Sequence, residues 1–156
     1  MGIVSRKTID DFYSNKQIAI VGASRDKKKY GGGVLKELLR REYDAIPINP
    51  HAGTIQEKKS YKRLQDVPGG VKAAIAVVPP EAQEQVVLDA AEAGIKTLWL
   101  HEHVMKGVSN PRAIYLCEEK GMDCIVGFCP LMFMPNAGFP HSLHRGIMKL
   151  FGALPK

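Results

Sequence analysis

Five short apolar runs punctuate the chain at 17–22, 44–49, 73–78, 97–101 and 123–128, each bounded by polar or turn-forming residues. Runs of this length, rich in Ile, Val, Leu and Ala, predict strands buried on both faces of a sheet. Between them the apolar positions change to helical spacing, predicting helices over 33–42, 81–94 and 110–121. The second helix follows Pro79-Pro80 and stops at Gly94, with proline at its start and glycine just past its end. The third follows Ser109-Asn110-Pro111, two capping residues and a proline suited to the first turn, and ends at Gly121. A further helix opens the chain, with Thr8 as its cap and Asp11 reaching back in a capping box. Residues 53–70 break the rhythm and read as a loop with one helical turn, anchored by Tyr61 and Leu64.

Strands alternating with helices predict an α/β fold: a single Rossmann-like, doubly wound domain, its five-stranded, mainly parallel sheet carrying helices on both faces. Residues 1–156 form that one domain, and 130–156 are expected to pack on it as a C-terminal extension. On such sheets ligands bind beyond the carboxyl ends of the strands, where the strand order reverses.

Composition narrows the picture. With 156 residues, 45% of them apolar and 24% charged, the chain suits a globular domain with a substantial core. Its longest apolar runs are too short to span a bilayer, and residues 1–16 lack the apolar stretch of a signal peptide. Three cysteines without metal-like pairing read as reduced thiols, and the expected location is the cytoplasm. The net charge of +6 is compatible with nucleic acid, but the cations are scattered and aromatic residues are few, so no nucleic-acid partner is expected.

One cationic cluster stands apart. The first strand runs into Gly22-Ala23-Ser24, followed by Arg25, Lys27, Lys28 and Lys29, then Gly31-Gly32-Gly33 at the head of a helix. A helix N-terminus carries backbone N–H donors and partial positive charge, and this order of strand, turn and helix suits a polyphosphate. After the second strand stands Asn49-Pro50-His51, where a NAD site would carry a carboxylate for the ribose hydroxyls. Its absence disfavours NAD and permits a phosphorylated ribose, as in NADP or coenzyme A; the same Asn-Pro also reads as a simple turn. Val78 and Pro79, after the third strand, offer an apolar wall for an adenine or merely launch the next helix.

Val21-Gly22-Ala23-Ser24, Gly31-x-x-Val34, Pro47-Ile48-Asn49-Pro50, Tyr61-x-x-Leu64 with Asp66-Val67-Pro68, and Ala90-x-x-x-Gly94-x-Lys96-x-x-Trp99-Leu100 together resemble the small single-domain CoA-binding proteins. These are similar to the nucleotide-binding N-terminal domain of the succinyl-CoA synthetase α subunit. The resemblance covers about residues 10–129 and implies a Rossmann-like domain that binds coenzyme A or acyl-CoA. It carries ligand contacts onto Gly22, Ala23, Ser24, the basic loop with Gly31 and Gly32, Asn49, Pro50, Val78 and Pro79. Two departures stand out: His101-Glu102-His103 replaces the Gln-x-Gly turn often found in the family, and the C-terminal stretch is longer than usual.

The expectation is therefore a non-catalytic or accessory CoA-binding protein. The alternatives are an NADP-dependent reductase and a metal- or thiol-assisted acyl-CoA enzyme using His101, His103 and Cys129. Their spacing, with His141 and His144, is not that of an established zinc motif, and Cys129 reads more simply as a small packed residue. Leu131, Met132, Phe133 and Met134 read as a hydrophobic flap or subunit contact. A last helix around 141–151, bearing Leu143, Ile147, Leu150 and Phe151, would cover the sheet or support a homodimer.

Overall fold

The structure is a computed structural model that describes residues 4–101 and 109–134. Glu102, His103, His141, His144, the helix expected at 141–151 and most of the C-terminal extension lie outside the described residues.

The five runs form the strands β1 (Gln17–Val21), β2 (Asp44–Ile48), β5 (Ala73–Ala76), β6 (Thr97–Leu100) and β7 (Asp123–Ile125). They make one sheet in the order β2-β1-β5-β6-β7, and every pairing is parallel. Alternate side chains enter opposite cores, as the pleat requires. Ile18, Ile20, Ile75 and Trp99 face one cluster with α1 (Arg6–Ser14) and α2 (Tyr30–Arg40). Ala19, Ala74, Leu98 and Leu100 face the other with α3 (Pro80–Glu92) and α4 (Pro111–Glu119). The chain leaves β1 for the edge strand β2, returns across β1 to β5, and continues outward. The order therefore reverses between β1 and β5, opening a crevice at the carboxyl edge.

Several boundaries differ from the sequence reading. Ser5, not Thr8, caps α1: its hydroxyl accepts the Thr8 backbone N–H at 3.1 Å. Asp11 pairs with Lys7 one turn away instead of completing a capping box. A serine three residues upstream of Thr8 meets one of the N–H groups the first turn leaves open, and the helix gains its first turn. α2 starts at Tyr30 rather than 33, so the three glycines form its first turn, with the Gly33 N–H on the Lys29 carbonyl at 2.9 Å. Segment 53–70 holds its helical turn at Leu64–Asp66, and also an antiparallel hairpin, β3 (Thr54–Ile55) with β4 (Lys58–Lys59).

The apolar run after Pro130 is core, not flap. Leu131, Met132, Phe133 and Met134 are buried in the α1–α2 cluster, and the Phe133 ring lies 6.1 Å from Trp99. Trp99 is fully buried, donates its indole N–H to the Phe128 carbonyl at 3.0 Å and meets Phe12 edge-on. Among the described residues no helix is long and apolar enough to cross a membrane.

Candidate functional site

The turn after β1 is built by close backbone approach. Gly22 has φ +87°, a left-handed conformation, and a Cβ there would meet the Val77 carbonyl oxygen at 2.1 Å. Side chains are excluded on both counts. Gly31 and Gly32 face carbonyls in the same way, those of Gly22 and Asp26. These glycines therefore bring the first turn of α2 down onto the β1 turn and set where its N–H groups point; the space a side chain would take is filled by backbone.

The loop between them folds on its own polar groups. Ser24 Oγ accepts the Asp26 N–H at 3.1 Å, and Asp26 Oδ1 accepts the Lys28 N–H at 2.9 Å. The side chains of Arg25, Lys27, Lys28 and Lys29 are left exposed around that turn. A run of cations beside a helix N-terminus raises the local potential for a multiply charged anion.

Asn49 ties the second strand to this turn. Its amide donates to the Ala23 carbonyl at 2.9 Å, and its Oδ1 accepts the His51 N–H at 2.8 Å. The turn reading of Asn49-Pro50 is the one these bonds show. The asparagine shapes a turn, and in doing so it presents Pro50 and His51 to the crevice.

A cleft of about 540 Å³ occupies the crevice, lined by Gly22, Asn49, Pro50 and Val78 among the residues expected from sequence. A cavity of this size suits a cofactor-sized ligand. It also contains His51, Lys62, Arg63, Gln85 and Asp89, which sequence reasoning did not assign. The basic loop and the first turn of α2 flank the Gly22 corner of the cleft rather than line it, and Pro79 is exposed as the cap residue of α3.

Among the described residues Asp89 is the one carboxylate of the lining. Burial alone would raise its pKa, but hydrogen bonds from Arg63, Gln85 and Gln65 outweigh this and hold it below the usual aspartate value. Arg63 Nη2 donates at 2.9 Å and Gln85 Nε2 at 3.0 Å. The charge of Asp89 is thus matched, and Lys62 leaves the cleft suited to anions. Gln85 and Asp89 lie four residues apart on α3, beside Val86; that spacing on one face was the available signal.

The cysteines separate by environment. Cys117 is buried, and its contact with Cys124, then burial, raise its pKa far above the ordinary thiol range, so it stays protonated. Cys129, half-buried against the α1–α2 core, lies 3.0 Å from the Tyr30 hydroxyl, and the Tyr30 ring stacks on His101 at 3.8 Å. Among the described residues no group of three His, Cys, Asp or Glu side chains is arranged to hold a metal ion.

Comparison with known proteins agrees with this architecture. The family described as CoA binding domain matches residues 16–135. The α subunit of acetate–CoA ligase [ADP-forming] II from Pyrococcus furiosus is 37% identical over 91 residues, 56% of this chain and 20% of that protein. The chain thus spans about a fifth of the length of that ligase subunit. The uncharacterized protein YneT of Bacillus subtilis is 24% identical over 74% of this chain and 82% of its own. Among solved structures, a hypothetical protein from Pyrococcus horikoshii OT3 superposes with a TM-score of 0.76 at 25% identity, covering 83% of this chain and 89% of that one. A conserved hypothetical protein from Pyrococcus furiosus superposes with a TM-score of 0.66 at 34% identity, covering 72% and 94%. With a reversed parallel sheet, a backbone-packed glycine turn and a family match over residues 16–135, the chain belongs to the CoA-binding domain family.

Proposed function

We propose that this protein binds coenzyme A or an acyl-CoA as an accessory, non-catalytic binding protein of the cytoplasm. The diphosphate lies at the Gly22-Ala23-Ser24 turn and the N-terminus of α2, within the field of Arg25, Lys27, Lys28 and Lys29. The nucleoside end enters the cleft past Asn49, Pro50 and Val78, with Pro79 at its rim. The observation that carries this reading is the cleft at the strand-order reversal within a CoA-binding domain. An anion-binding role is supported by the lining, whose carboxylate, Asp89, is paired to Arg63. Calorimetric titration with CoA and acetyl-CoA is expected to give saturable, one-to-one binding. Absence of heat at millimolar ligand overturns the proposal, and a thermal-shift response to NADP in place of CoA favours a reductase.

The contact between Cys129 and Tyr30 supports a second reading, a thiol-assisted acyl-CoA enzyme. Consumption of acetyl-CoA by the protein, abolished in Cys129→Ser, would replace the binding role with that one.

A further inference from the structure

The hairpin that interrupts the β2–β5 crossover has a strained tip. Thr54 pairs with Lys59 and Ile55 with Lys58, leaving Gln56 and Glu57 as a two-residue loop. Their φ angles are 48° and 67°, both left-handed. Such loops favour Asn-Gly, because a longer side chain at positive φ crowds its own backbone. Here neither position carries the relaxed residue.

What the glutamine does offers a reason. Its amide nitrogen donates to the Gly32 carbonyl at 2.8 Å and lies 3.5 Å from the Ser24 carbonyl. From the opposite direction Arg25 Nε donates to the Thr54 carbonyl at 3.3 Å. The buried side chain of Ile55 anchors the hairpin in the α1–α2 core. The span from Ser24 to Gly32 is thereby latched at both ends to an element distant in sequence. Backbone strain that persists is held by what surrounds it, and an observed outlier motivates a functional hypothesis.

We propose that Gln56 is a positioning residue for anion binding: its amide holds the 24–32 loop in the form that presents N–H groups and cations to the phosphates. The inference rests on the CoA reading above and deepens it. Without the latch the loop spends less time in the competent form, and the apparent dissociation constant rises in inverse proportion to that fraction.

Gln56→Asn separates this role from a structural one. Asparagine is at ease at positive φ but one methylene too short to reach Gly32. The variant is expected to melt at or above the wild-type temperature while binding CoA about tenfold more weakly, a competent fraction of about a tenth. Glu57→Gly relieves strain at the neighbouring position and leaves the latch intact, so its CoA affinity is expected to equal wild type. An unchanged affinity in Gln56→Asn, or a loss that tracks a fall in melting temperature, overturns the proposal. If the wild-type protein itself gives no CoA binding, the functional reading fails first, and the two failures are distinguishable.

Discussion

The carbonyl oxygen of Gly22 lies 2.2 Å from where a Cβ on Gly31 would stand, so the end of β1 and the start of α2 are joined by backbone lying on backbone. Gly31→Ala is therefore expected to destabilise the fold by about 1–3 kcal/mol, the usual range for overpacking. Two residues along, a Cβ on Gly33 would meet only the Lys27 carbonyl, at an ordinary 3.7 Å. Gly33→Ala is expected to stabilise by up to about 1 kcal/mol through helix propensity. Urea denaturation of the two variants checks both signs, and equal effects would refute the packing argument.

Removal of Arg63 should alter the cleft electrostatically. Asp89 loses the strongest of the hydrogen bonds that lower its pKa, so its folded value moves up toward the ordinary aspartate value. In the native protein the stability this carboxylate contributes is present above the ordinary aspartate pKa and is lost as pH falls through its lower folded value. In Arg63→Ala that contribution is smaller, and its loss is complete at a higher pH. CoA binding weakens several-fold, because Asp89 then faces the ligand without its counter-charge. Carboxyl-carbon NMR titration follows the first effect and calorimetry the second.

Alkaline pH should unfold the protein progressively. Burial is the main cause raising the pKa of Tyr13 and of Tyr30, in both cases reinforced by Cys129. Both phenols stay protonated in the fold while unfolded tyrosines ionise near pH 10. Stability is therefore full below about pH 10 and falls as pH rises toward the folded values. Tyr13→Phe, which gives up a 2.6 Å bond to the Pro130 carbonyl, is expected to start from a lower melting temperature and to lose it less steeply. Melting curves taken between neutral pH and pH 11 would show a parallel decline if tyrosine ionisation were not responsible.

The lysines of the 25–29 loop are exposed, and in the proposed site they would act through their field rather than through fixed contacts. Replacing Lys27 and Lys28 together by alanine is expected to weaken CoA binding at low ionic strength. The difference should shrink as added salt shortens the screening length to about 10 Å at 0.1 M and less beyond. Titrations at two salt concentrations test this; a salt-independent deficit would mean direct, desolvated contacts.

Much of this was legible in the chain. The strands and α3 and α4 could be read because period and punctuation agree: Pro80 and Pro111 open the helices that Gly94 and Gly121 follow. That Gly22, Asn49, Pro50 and Val78 line the cleft could be read because the crevice of a parallel sheet opens at the strand ends. The hairpin at 54–59 was hidden, since its turn is Gln-Glu, which carries no turn signal, and its strands are two residues long. Arg63 and Asp89 were hidden for another reason: their 2.9 Å pairing joins positions 26 residues apart, and each alone reads as a solvated surface charge.

The sequence by itself determined the sheet, its helical layers and the glycine turn with its cationic loop, because these follow from local periodicity, capping chemistry and charge. Tertiary structure alone decided what the glycines are for, that the Leu131–Met134 run is core, and that a neutralised carboxylate sits in the cleft. Those outcomes depend on which distant carbonyl, ring or guanidinium arrives beside a residue. Such arrivals are set by the packing of whole elements, which no local pattern encodes.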